Sequence, residues 1–370
     1  MFWMYGGFIV IVIALLSLDL GVFHRKAHVV SIKESLSWSV LWATLGTSFS
    51  VLIYLGYEHH WLGLGLTPDL MTTHPITVDG VGTVYNDGTS ALIKYLTGYL
   101  VEKSLAVDNI FVIAMVFAFF AVPLIYQHRV LFWGILGALL MRGVLIAVGA
   151  ELIVHFSWTI YVFGAFLIIT GIKMLLINTD HQDPHSNFVV RAVRRWIPIT
   201  EKYHGEHFFV RRGSPASLEP ATPGSAMEID RVVQNAKTGA LLATPLLLAL
   251  VSVEFTDLIF AVDSIPAIFA VTTDPFLVFT SNVFAILGLR SLYFALAGMI
   301  NSFRHLKTAL AVVLLVVGGK MMMHTWLKET LGPNVNLYLL GLIVAILVAG
   351  VVASLVVSGE SRPTHEPAGA

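Results

Sequence analysis

The sequence has no cysteine among its 370 residues. That excludes disulfides, thiolate zinc sites, iron–sulfur clusters and a cysteine nucleophile, and it removes the usual indicator of redox compartment. Charge is also scarce: 12% of residues are Asp, Glu, Lys or Arg, against about 25% in a soluble domain. A formal net charge of −1 leaves no electrostatic footprint for nucleic acid. The 57–89 stretch has Glu58, Asp69, Asp79 and Asp87 but no Lys or Arg. The apolar start, Met1 to Phe23, lacks a basic leader and a small-residue cleavage site, so it reads as a retained span. No P-loop is present. Asp108 and Asp263 follow Ala-Val rather than the Gly-x-Gly of intramembrane aspartyl proteases. The reading is therefore non-enzymatic and without a cofactor.

What is abundant is apolar surface: 56% of residues are hydrophobic, and mean hydropathy is +0.81. Helical crossing of a bilayer takes roughly 20 apolar residues, and about nine such runs occur, at 2–23, 36–56, 90–122, 130–150, 157–177, 240–271, 276–299, 306–327 and 336–357. Uninterrupted runs point to helices rather than barrel strands. The expected fold is an all-α polytopic membrane protein of about nine transmembrane helices. Lys and Arg concentrate in alternate connections (Arg25, Lys26, Lys33, Arg129, the bases between 191 and 237, Arg304, Lys307, Arg362). By the positive-inside rule the N-terminus lies outside and the C-terminus in the cytoplasm. The long 178–239 connection is then cytoplasmic. Its FVVRAVRRW stretch suits either an interfacial helix or a solvated basic linker, SPASLEPATPGSA reads as a flexible loop, and the tail after Ser358 reads as disordered.

The sequence repeats itself. Spans three to five hold VEKSLAVDN, GALLMRGVL and TGIKMLL; spans six to eight hold EFTDLIFAVDS, ILGLRSLYF and VGGKMMM. Aligning the Ala-Val-Asp triplets pairs Glu102 with Asp257, Asp108 with Asp263, Asn109 with Ser264, and, with a small shift, Arg142 with Arg290 and Lys173 with Lys320. Each unit has three spans, an odd number, so the second copy enters the membrane inverted, an arrangement that places transporter sites near the midplane. The chain divides into an N-terminal two-span extension (1–89), repeat 1 (90–177), the cytoplasmic loop (178–239), repeat 2 (240–327), and a ninth span with its tail (328–370).

The chemistry falls on the acids inside spans three and six. Each buried carboxylate costs roughly 3 kcal/mol even on the lenient insertion scale, so Glu102, Asp108, Glu254, Asp257 and Asp263 need a proton, a partner, water or a metal. With Asn109 and Ser264 they form an all-oxygen set that suits hard divalent cations such as Mn²⁺, Mg²⁺ and Ca²⁺. Because such ligands bind metal deprotonated, proton counter-transport is a natural coupling. On an ideal helix Glu102 and Asp108 are about 120° and about 9 Å apart. Either the helix unwinds around Ala106–Asn109, or the acids serve different positions along a path. Pro266 weakens helical bonding near Val262–Asp263. The competing reading is neutralisation: Lys103, Arg142, Lys173, Arg290 and Lys320 also lie in spans and could simply pair with the acids. Weaker candidates are Asp19, the methionines 321–323, and the pairs His59–His60 and His181–His185.

LDLGVFHRKAHVVSIKE (18–34), VEKSLAVDNIFV (101–112) and ATPLLLALVSVEFTDLIFAVDSIPAIFAVT (243–272) resemble the TerC family of integral membrane proteins, in particular its Alx-like branch, which is allied to the lysine-exporter superfamily. The resemblance implies a bacterial inner-membrane protein associated with manganese export and pH-responsive metal homeostasis, with Glu102, Asp108, Glu254, Asp257 and Asp263 as the metal-handling acids. The stretch around 213–227 departs from it and resembles an insertion. The expected function is export of Mn²⁺ as substrate, in exchange for protons. The alternatives are export of Ca²⁺ or a small organic cation, and a non-transporting scaffold that works with translocon or envelope proteins to load metal onto secreted proteins.

Overall fold

The computed structural model describes residues 2–21, 31–72, 75–176, 195, 197–220, 222, 230–296 and 304–360. Eleven helices are labelled along the chain: α1 Phe2–Gly21, α2 Ile32–Glu58, α3 Gly88–Phe119, α4 Leu124–His155, α5 Thr159–Leu176, α6 Pro245–Phe269, α7 Pro275–Leu287, α8 Leu289–Leu296, α9 Arg304–Met322, α10 His324–Leu331 and α11 Val335–Glu360. Their starts are written locally. Ser31 caps α2 by accepting the Glu34 amide, and Asp87 caps α3 by accepting that of Ser90. Asp274 caps α7 by accepting the Phe276 amide, with Pro275 in the first turn, where a missing N–H costs nothing. The described residues also hold a short helix, Arg231–Asn235, and two antiparallel two-stranded sheets. β1 (Ile76–Val78) pairs with β2 (Gly82–Val84) between α2 and α3; β3 (Phe209–Arg211) pairs with β4 (Leu241–Ala243) ahead of α6.

Five helices are long and apolar enough to cross a membrane, or up to seven if each bent pair of helices counts as one span. This is a multi-pass helical membrane protein. The figure falls short of the nine runs in the sequence for physical reasons. α3 is long enough but carries Lys94, Glu102, Lys103 and Asp108. The apolar part of α1 covers only Trp3–Leu18. The seventh run is broken: α7 and α8 meet at Gly288 with a 40° bend. A side chain there is blocked, because a Cβ on Gly288 would lie 2.8 Å from Trp42 Cβ and 3.0 Å from Lys103 Nζ.

α3 and α6 stand at the centre, with the α4/α7 pair against one side and the α5/α9 pair against the other. α11 flanks α9 and α3, while α2 flanks α3 and α8. The α5/α9 contact is backbone to backbone: a Cβ on Gly318 would lie 2.9 Å from the Gly164 carbonyl oxygen. Small residues that let helices approach this closely are the usual means of packing in lipid, where no hydrophobic force drives helices together.

Of the two readings of the Glu102–Asp108 spacing, the structure keeps the one without unwinding, and Pro266 weakens bonding without breaking its helix. α3 runs unbroken through Ala106–Asn109, and α6 continues past Pro266 to Phe269. Pro266 sits in the last turn of α6, where only the carbonyl of Val262 loses its partner. Most of the basic stretch 188–196, His181 and His185, residues 221 and 223–227, the tail from 361 and the Asp19 side chain fall outside the described residues.

Candidate functional site

α3 and α6 cross antiparallel. Gly98 lies against Ile268, Glu102 and Ser264 both meet Arg142, and Asn109 Nδ2 donates to Asp257 Oδ1 at 2.9 Å, so a step down one helix is a step up the other. Residues seven apart return to the same helix face. That spacing turns Glu102 and Asn109 of α3, and Asp257 and Ser264 of α6, toward the α4/α7 side. Arg142 of α4 fills the space between them. Its Nη1 pairs with Glu102 Oε1 and donates to Ser264 Oγ and to Asn282 Oδ1 of α7, both at 3.2 Å. Its Nε and Nη2 form a fork onto Asp257, at 3.2 and 3.0 Å. Glu102, Arg142 and Asp257 are 1%, 3% and 4% exposed.

One guanidinium therefore serves two buried carboxylates, and with both acids ionised the cluster carries excess negative charge. Glu102 Oε2 and Asn109 Oδ1 are buried without a hydrogen-bond partner. Orphaned buried acceptors cost about 1–3 kcal/mol each, which makes this a place where a cation or a donor would be welcome. Beside the cluster is a small cavity with room for about one water molecule, bounded by Asn109, Gly134, Ala138 and Asp257.

Asp108 and Asp263 lie on the other side of the central pair. Each closes its Ala-Val-Asp triplet six residues after Glu102 or Asp257, about 120° away around the helix, and each faces the α5/α9 side. Lys307 of α9 is the cation facing Asp108. Thr170 of α5 donates to Asp263 Oδ1 at 3.4 Å, and Lys173 faces it from the same helix. Glu254 lies near Asp257 and packs on Gly137 of α4, with Oε2 buried and unpartnered. The seven oxygen-bearing residues picked from the sequence thus divide into a central group (Glu102, Asn109, Asp257, Ser264), a neighbour (Glu254) and a second face (Asp108, Asp263). Among the described residues no three Asp, Glu or His side chains gather closely enough to hold a metal by themselves.

Of the four basic residues expected to pair with acids, Arg142 does so. Lys320 donates to the Ala270 carbonyl at the end of α6 (2.6 Å) and to Asn336 Oδ1 (3.0 Å). Lys173, exposed on α5, faces Asp263, and Arg290 is buried in α8. Sequence reasoning missed the roles of Asn282 and of the Lys94–Asp69 pair, and it expected Lys103 to meet an acid rather than a backbone carbonyl. Asn282, a lone amide in an apolar run, closes the Arg142 cluster. Lys103 donates to the Ala285 carbonyl (3.1 Å) just ahead of the α7/α8 bend, satisfying a group that the break releases. Lys94 and Asp69 form a fully buried ion pair at the β1–β2 end of the molecule.

Geometry of this kind defines an integral membrane protein with ionisable groups gathered at the crossing of two central helices. Residues 87–362 match the family described as "Integral membrane protein TerC family", and the chain belongs to that family. It is similar to "Uncharacterized membrane protein STKORF319" of Myxococcus xanthus, 45% identical over 98% of this chain and 95% of that one. It is also similar to the proteins named "Putative membrane-bound redox modulator Alx" of Salmonella typhi and Escherichia coli K12, at 44% and 42% identity over 86% of this chain and 85% of each of those. No solved structure matches.

Proposed function

We propose that the chain is a secondary transporter that exports a hard divalent cation, Mn²⁺, across a bacterial inner membrane in exchange for protons. One observation carries the reading: two buried carboxylates share a single guanidinium at the crossing of the central helices, with an unpartnered oxygen on Glu102 and another on Asn109. Four oxygen-bearing side chains in one buried place match the ligand preference of hard cations. In this reading Arg142 is a resident counter-cation: it holds Glu102 and Asp257 between cycles and yields them to the arriving ion. Asn109 and Ser264 supply neutral oxygens, and Glu254 assists from alongside. Asp108 and Asp263, on the α5/α9 face, carry the counter-proton.

The two three-helix units act as inverted repeats of a nine-span protein, N-terminus outside and C-terminus cytoplasmic. Their support is the antiparallel crossing of α3 and α6 and the equal offset of Asp108 and Asp263 from it. A rocking motion of one unit against the other would open the central group to alternate sides. The name of the Alx proteins points to redox modulation; for this chain thiol chemistry is excluded, because it has no cysteine.

The test is ion flux in sealed proteoliposomes under a pH gradient. Wild-type protein should move Mn²⁺, and Glu102→Gln and Asp257→Asn should not, at equal insertion. Flux in those variants equal to wild type would overturn the assignment of the site, and absence of flux in the wild type would overturn the transporter reading itself.

A further inference from the structure

Residues 61–72 fold back onto the β1–β2 end of the central helices, and one side chain fastens them there. The Asp69 carboxylate is buried and accepts from six donors: Lys94 Nζ (2.8 Å), Thr272 Oγ1 (2.5 Å), Asn86 Nδ2 (3.1 Å), Thr273 Oγ1 (3.0 Å), and the amides of Thr273 and Met71 (both 2.9 Å). These tie the segment to α3 through Lys94 and to the 270–274 link between α6 and α7. Lys94 is in turn held by Thr72 Oγ1 (2.8 Å) and Asn86 Oδ1 (2.5 Å). Leu70 donates its amide to Thr273 Oγ1 at 2.9 Å. Asp274 continues the network by accepting from the Tyr57 hydroxyl at 3.0 Å. The charge of Lys94, helped by hydrogen bonds from Thr272 and Thr273, outweighs burial and holds the Asp69 carboxyl well below the usual carboxylate range.

What lies beneath this fastening is polar. Lys94, Gly98 and Glu102 recur every four residues and share one face of α3. The Glu102 end of that face is about 12 Å from the Lys94 end. Ser281 of α7 packs on Gly98, and Thr97, Thr280 and Asn282 are buried nearby in sequence on the same two helices. Lys94, the Gly98–Ser281 contact and Glu102 thus form a strip from the underside of Asp69 to the central acids. We propose that this strip is the exit half of the ion path and that residues 61–72 are a plug closing its mouth, with Asp69 on Lys94 as the latch that must release for ions to leave. The plug rests on the transporter reading for what travels the path, and its test needs no ion to move.

Because the chain has no cysteine, a single reporter thiol can be placed under the plug by Ser281→Cys. A second reporter, Ser252→Cys, sits buried in the other half of α6. A membrane-impermeant maleimide is applied from the β1–β2 side, to each reporter alone and combined with Asp69→Asn or with the milder Thr273→Ala. The expected result is slow labelling of both reporters in the parent. Asp69→Asn should quicken Ser281→Cys labelling tenfold or more, and Thr273→Ala severalfold, with Ser252→Cys unchanged. Labelling of Ser281→Cys that neither latch substitution alters would overturn the plug, as would an equal rise at both reporters, which would mean general loosening. A protein that labels as expected yet moves no Mn²⁺ would retain the plug and lose the transporter reading.

Discussion

Replacing Arg142 with Gln is the sharpest probe of the central cluster, because the residue serves both acids at once. The substitution removes the ion pair to Glu102, both arms of the fork onto Asp257, and the bonds to Ser264 and Asn282. Truncating one partner of a buried pair leaves an uncompensated charge and costs about 3–5 kcal/mol. Here two carboxylates are stranded, so the upper part of that range applies unless one of them takes up a proton. The expected outcome is a large fall in the thermal midpoint of the detergent-purified protein, followed by tryptophan fluorescence. Glu102→Gln combined with Arg142→Gln should recover part of the loss, because one stranded charge is gone. Groups within one network couple by about 0.5–3 kcal/mol in such cycles. A single Arg142→Gln variant as stable as wild type, or a double variant whose loss is the plain sum of the two singles, would refute the shared-guanidinium account.

Three further outcomes are expected. Gly318→Val should push a side chain into the Gly164 carbonyl and part α5 from α9, lowering the thermal midpoint by an amount equivalent to about 1–3 kcal/mol of overpacking. Asp108→Asn and Asp263→Asn should abolish flux driven by a pH gradient but preserve exchange of internal for external Mn²⁺; loss of both in step would place these acids in the ion site instead. Asp274, which caps α7 just outside the spanning segment, is pushed up to about 6 by burial and by the charge of Asp69. A raised folded value means stability that is complete below about 3.8 and is lost as pH rises to about 6, roughly 3 kcal/mol in all. Amide exchange protection at Thr72 and Thr273, corrected for intrinsic rates, should therefore fall over that window and become flat in Asp274→Asn.

The sequence made some of this legible and hid the rest for identifiable reasons. Apolar runs announce helices because lipid leaves the backbone no other partner, and the doubled Ala-Val-Asp pattern drew attention to α3 and α6. The seven-residue step that puts Glu102 with Asn109, and Asp257 with Ser264, on one face was present in the spacing. Which face met Arg142 was not, because that depends on how α4 packs. The six-residue step did forecast that Asp108 would look elsewhere, and the unbroken α3 keeps it there. The Asp69–Lys94 pair was invisible for another reason. Its partners are 25 residues apart, Asp69 in a loop and Lys94 in a span, and no spacing rule joins a loop acid to a base in the next helix. The close packing at Gly288 was hidden too, because Trp42 and Lys103, which a side chain there would meet, are far from it in the chain.

Binding of Mn²⁺ to the purified protein, followed by loss of its free-ion paramagnetic resonance signal, tests the central claim most directly. The account predicts saturable uptake by the wild type that is lost in both Glu102→Gln and Asp257→Asn. Uptake unchanged in the two variants, or none in the wild type, would contradict it.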